Sequence, residues 1–182
     1  MSAANTAEKI AAIYLRLNGF LLLPHFTVFI DGHPRHIDVL CLRAADSEER
    51  PFGNLPCLLD EKMFENIKRS FNIANPKSVF LGAVVEVRTN EKTKYPEVDY
   101  RNYAGRFLGK AQQISMAFAR ANNFEFQENT LVIDLDYALK WILERIDHME
   151  NELNVNKFES WFQSDEFLAD ILVLTRLKQK SR

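Results

Sequence analysis

With two cysteines in 182 residues, the chain has no disulfide framework, and Cys41 and Cys57 have no zinc-type spacing around them. It also lacks a surplus of charge. Twenty-three Lys and Arg against 25 Asp and Glu leave a formal net charge of -2, so no global basic field draws the chain to nucleic acid. Any such contact must come from a local patch. Long hydrophobic runs are missing as well. Phe20-Leu21-Leu22-Leu23 falls far short of the ~20 residues that span a bilayer. Met1 to Asn5 has no basic region leading into an apolar stretch, so no secretory signal is expected. No internal repeat or low-complexity segment is found. These absences predict a reduced, cytoplasmic, soluble protein without a membrane partner. What is present is a 47% apolar composition with 14 Phe, enough to fill the core of one domain.

The pattern along the chain is mixed. Asn5 and Glu8 have capping-box spacing, Gly19 supplies a stop, and Ile10, Ala11, Ala12, Ile13, Tyr14, Leu15 and Leu17 predict a buried helix between them. Phe20 to Ile30 and Arg35 to Arg43 read as strands joined by the turn Asp31-Gly32-His33-Pro34. Residues 44–55 are polar and loop-like. Leu59, Met63, Phe64, Ile67 and Phe71 mark an amphipathic helix within Leu58 to Phe71. Ser78 to Thr89 is a strand apolar enough for burial on both faces. Asn90 to Asp99 is charged and turn-rich. Tyr103 to Ala121 is expected to be a helix, with Phe107, Leu108, Ala111, Ile114 and Phe118 on one side. Thr130 to Leu135 is a short strand.

From Tyr137 to Leu177 the pattern is helical. Leu139, Ile142, Ile146, Met149 and Leu153 form a seam. Phe158, Trp161, Phe162, Phe167, Leu168, Ile171, Leu172 and Leu174 offer a surface for a partner helix or a second copy. The expected class is α/β: a mixed sheet flanked by helices over residues 1–136, with a C-terminal helical extension over 137–182 packed on the core or at a dimer interface.

Two strands carry a lone carboxylate in apolar surroundings: Asp38 in His36-Ile37-Asp38-Val39-Leu40 and Glu86 in Val84-Val85-Glu86-Val87-Arg88. Burying an unpaired carboxylate is costly, and a divalent cation shared by the two would offset that cost. Alternation puts Glu86 and Arg88 on one face of their strand, and neighbouring strands would bring Asp38 within reach. Glu8, early on the first helix, could add a third acid. The alternatives are an ion pair of these acids with Arg88 or Arg35, and a helix-capping role for Glu8.

In this order of elements, the Ile-Asp-Val-Leu strand, the Val-Glu-Val-Arg-Thr strand and a following helix containing Gln resemble the PD-(D/E)xK nuclease superfamily, which has the restriction-endonuclease-like fold. The resemblance covers about Ala7 to Leu135. It implies that Asp38 and Glu86 hold Mg2+ or Mn2+, that Arg88 stands where the family has lysine, that Glu8 matches a helix acid of some branches, and that Gln112 or Gln113 matches a supporting glutamine. The implied activity is metal-dependent hydrolysis of phosphodiester bonds in DNA or related nucleic acid. Arg88 departs from the pattern. A guanidinium stays protonated and cannot act as a base, although it can position water or phosphate. A catalytically inactive module that binds nucleic acid or protein is therefore the alternative.

Other features have plainer readings. His25, His33 and His36 surround a hairpin turn without metal-site spacing, and His36 is a candidate acid or base. Arg101, Arg106, Lys110 and Arg120, with Lys92 and Lys94 before them, would make a phosphate-facing stripe on the expected helix, or an ordinary charged surface.

Overall fold

The computed structural model describes residues 3–47, 59–89 and 105–152. The chain is mixed α/β. Six strands form one sheet among the described residues, in the order β1-β2-β3-β4-β6-β5, with β1 Leu21–Ile30, β2 His33–Arg43, β3 Leu81–Val87, β4 Gln112–Ala119, β5 Phe124–Gln127 and β6 Thr130–Asp134. The pairs β1–β2, β2–β3 and β5–β6 are antiparallel, whereas β3–β4 and β4–β6 are parallel. Helices α1 (Ala3–Leu17), α2 (Glu61–Phe71) and α3 (Leu135–Glu152) accompany the sheet. The chain divides into two compact units, Met1–Ala138 and Leu139–Arg182, and the division falls inside α3.

Helix α1 is buried on most of its surface, at Ala7, Ile10, Ala11, Ile13, Tyr14, Leu15 and Leu17, as its near-absence of polar positions predicts. It packs against β1 and β3. Its end is a Schellman motif. Gly19, at φ +83, donates its N–H to Arg16 O at 2.9 Å, and Phe20 donates to Leu15 O at 3.1 Å. The capping-box expectation fails at the other end: α1 is already helical at Ala3, so Asn5 lies inside the helix and not before it.

Helix α2 begins at an N-cap, Asp60, whose carboxylate accepts the N–H groups of Lys62 and Met63 at 3.0 and 3.2 Å. It ends at Asn72, in the left-handed conformation at φ +54. Met63, Phe64 and Ile67 form its buried face. Each such side chain contributes about 1.5–3 kcal/mol by leaving water.

The largest departure from the sequence expectation is β4. Residues 105–108 are helical, Gly109 follows at φ +59, and Gln112–Ala119 then runs as a strand parallel to β3. Ile114 to Ala119 is buried without interruption. A strand covered on both faces loses its alternation, and its apolar spacing then also fits a helix. The expected basic stripe goes with that helix. Arg106 and Lys110 lie before β4 and Arg120 lies beyond it, while Arg101, Lys92 and Lys94 fall outside the described residues.

The loop over 48–55, the charged segment 90–99 and the apolar positions from Phe158 to Leu174 also lie outside them. No helix among the described residues is long and apolar enough to cross a membrane.

Candidate functional site

Strands β2 and β3 pair from Arg43↔Leu81 to Val39↔Val85, so the next step sets Asp38 opposite Glu86. The geometry changes there. The β1–β2 pairing goes from Pro24↔Val39 to Phe26↔Ile37, passing over His25 and Asp38, and His25 adopts φ +54. Ile37 and Leu40, on either side of this position, belong to one hydrophobic cluster. Asp38 lies across the hairpin from His25, within β2. It turns its carboxylate onto β3, where Oδ2 accepts the Val87 N–H at 2.7 Å.

Glu86 is 5% exposed. Arg88, two residues on and so on the same face of β3, places Nη2 3.0 Å from Glu86 Oε2. The other carboxylate oxygen, Glu86 Oε1, is buried and has no hydrogen-bond partner among the described residues, and the same holds for Arg88 Nε. Burial pushes the Glu86 carboxyl up to about 7, the Asp38 charge adds to that rise, and Arg88 opposes it. One arginine thus leaves the pair of acids incompletely compensated.

Chemically, the pair suits a hard cation. Mg2+ takes oxygen ligands and is often held by one or two carboxylates, with water and phosphate completing its shell. An orphaned buried carboxylate oxygen beside a second carboxylate fits that donor set. Glu8 is half-buried on α1. Among the described residues no group of three or more His, Cys, Asp or Glu side chains is arranged to hold a metal ion, so Glu8 is not joined to the pair as a third acid.

Gln112 and Gln113 are not brought to the pair either. They start β4, and Gln113 pairs with Gly82 while Ala117 pairs with Glu86. Four residues of strand separate Gln113 from the level of Glu86, about 13 Å at roughly 3.3 Å per residue. The Gln113 amide instead donates to Gly105 O at 3.1 Å. His25, His33 and His36 are exposed, and His36 Nδ1 lies 2.9 Å from Thr27 Oγ1.

A second polar centre, outside the sequence expectations, gathers around Asp60. Asp60 is 3% exposed, and besides capping α2 it accepts hydrogen bonds from the Tyr14 hydroxyl and, at 2.9 Å, from the Tyr137 hydroxyl. Its own N–H donates to Asn18 Oδ1 at 2.8 Å. Burial, followed by the Asp60 charge, pushes the Tyr14 hydroxyl well above its usual range, so it remains a donor. Nearby, buried Arg43 spends its donors on carbonyls: Nε on Asn18 O at 3.1 Å, Nη1 on Lys77 O at 2.8 Å and Nη2 on Ser47 O at 2.7 Å. Both groups are well supplied with partners, so they tie elements together and leave little capacity for a ligand. An Asp just before an amphipathic run was the available signal for the cap. Nothing in the sequence announces its pairing with tyrosines 46 and 77 residues away.

No protein-family model matches the chain, and neither a curated protein nor a solved structure matches it.

Proposed function

We propose that the chain is a metal-dependent phosphodiesterase-type domain that acts on DNA or a related nucleic acid, similar to PD-(D/E)xK nucleases. The observation that carries this reading is Glu86 Oε1, a buried carboxylate oxygen without a hydrogen-bond partner among the described residues, near a second carboxylate, Asp38, whose charge it feels. Asp38 and Glu86 would hold Mg2+ or Mn2+. When bound, such an ion polarises a phosphodiester and lowers the pKa of coordinated water. Asp38 is oriented by its bond to Val87 N. Arg88 steadies Glu86 and places positive charge where a phosphate would lie, but it cannot take the proton from an attacking water. In this reading that proton leaves through solvent or a substrate oxygen. A cytoplasmic setting accords with the free, buried thiol of Cys41. Two copies joined through residues 137–182 would suit a substrate with two strands.

A second reading has its own support. The 3.0 Å ion pair between Arg88 and Glu86 is the contact expected if arginine had replaced the metal, leaving a non-catalytic module that binds nucleic acid or protein. A nicking assay on branched, linear and single-stranded DNA with Mg2+ and Mn2+ separates the two. The enzyme reading predicts metal-dependent cleavage that is lost in Asp38→Ala and Glu86→Ala. Cleavage undiminished in both variants would overturn the site assignment, and no cleavage of any of these DNAs with either metal would favour the binding module.

A further inference from the structure

A cleft of about 410 Å³ is walled by the end of α2, the start of β4 and the β5–β6 turn, with Val84 of β3 also in its lining. Among the described residues that line it, none has an ionisable side chain, in a chain whose composition is 26% charged. Three carboxamides, Asn72, Gln113 and Asn129, and two phenyl rings, Phe71 and Phe126, dominate it.

The carboxamides stand on fixed corners. Asn72 is the left-handed C-cap of α2, and Asn129, at φ +59, follows Glu128, at φ +48, in the two-residue turn that joins β5 to β6. Gln113 is held by its bond to Gly105 O. A side chain at position 105 would start 2.4 Å from Gln113 Oε1, so glycine there makes room for the amide. The rings of Phe71 and Phe126 meet edge to face at 5.4 Å, and Phe126 is 45% exposed. The C-terminal end of α2 carries the negative end of its dipole, which disfavours an anion in the cleft.

A ligand matched to these walls is uncharged, has a flat aromatic ring and carries donors and acceptors side by side on its edge. Carboxamides read such edges in pairs, and phenyl rings stack on their faces. We propose that this cleft binds a nucleobase, with its sugar and any phosphate directed outward to solvent. The assignment does not depend on the acid pair, and it gives a role to Gln113, which the structure does not bring to that pair.

The test is an NMR titration of the full chain with adenosine, guanosine, cytidine, uridine and, for comparison, ribose. The expected result is saturable shifts of the Asn72, Gln113 and Asn129 side-chain amides with at least one nucleoside at millimolar concentration, and none with ribose. Phe126→Ala should weaken binding roughly tenfold, in line with the loss of one aromatic–base contact. Gln113→Leu should change the order of preference among the four nucleosides. A short oligonucleotide that binds more tightly than its nucleoside would identify a strand as the source of the base, and equal affinity would identify a free nucleoside. Absence of saturable shifts at these amides with all four nucleosides, or undiminished affinity in folded Phe126→Ala, would overturn the proposal.

Discussion

Replacing Glu86 with Gln should make the protein more stable at neutral and alkaline pH. In the folded chain the Glu86 carboxyl titrates at about 7, raised from 4.5 chiefly by burial. Between those values the unfolded chain gives up the proton first. The folded chain therefore draws on the raised value fully only below about pH 4.5, and that contribution is lost as pH rises through about 7. The difference corresponds to an upper bound on the order of 3 kcal/mol by linkage. Glutamine stays neutral at every pH and keeps nearly the same shape. It forfeits the charge in the Arg88 contact, but Arg88 is 38% exposed and solvent screens its charge, so that loss offsets only part of the gain. Urea unfolding of both proteins from about pH 4.5 to 8 reads the balance. The variant should match wild type at the acid end and gain about 1–3 kcal/mol on it at the alkaline end. Addition of Mg2+ should narrow the alkaline gap by stabilising wild type alone. Parallel stability profiles across the whole range would refute the reasoning, because they would mean that Glu86 is not held in a site that disfavours its charge.

Two further outcomes concern the frame around the site. Asp60→Ala removes the α2 cap and strands the Tyr14 and Tyr137 hydroxyls, so thermal or urea unfolding should show a loss of about 3–5 kcal/mol; a loss below about 1 kcal/mol would mean that the network contributes little beyond the cap. Gly82→Ala would bring a methyl group to 3.0 Å from Leu108 Cδ1 and 3.1 Å from Ala111 Cβ, and the crowding should cost about 1–2 kcal/mol despite the entropy that alanine removes from the unfolded chain. A more stable Gly82→Ala protein would show that Leu108 repacks freely.

The features legible in the sequence are those governed by local chemistry. The β1–β2 hairpin has its turn residues, α2 its apolar period, and β3 and β6 their compact apolar runs, and all of these elements form. Asp38 and Glu86 could be placed opposite each other because side chains alternate along strands. Other features depend on long-range packing. β4 carries no alternation because both its faces are covered, and β5 has only four residues, Phe124–Gln127. His25, across the hairpin from Asp38, adopts a left-handed backbone conformation that no single residue type announces there. The Arg88–Glu86 contact was an alternative the sequence left open, and side-chain geometry alone could reveal that it leaves Glu86 Oε1 without a partner.

The central claim is that Asp38 and Glu86 form a cation site, and calorimetric titration with Mg2+ and with Mn2+ tests it most directly. At about pH 8 wild type should bind one ion saturably, with affinity falling toward tenfold per unit as pH drops below about 7 and protons compete for Glu86. Asp38→Asn and Glu86→Gln should each weaken binding by at least about tenfold, as outright loss of a ligand exceeds the 10–100-fold cost of disturbing a ligand's supporting partner. Absence of binding in wild type, or equal affinity in wild type and both variants, would contradict the account.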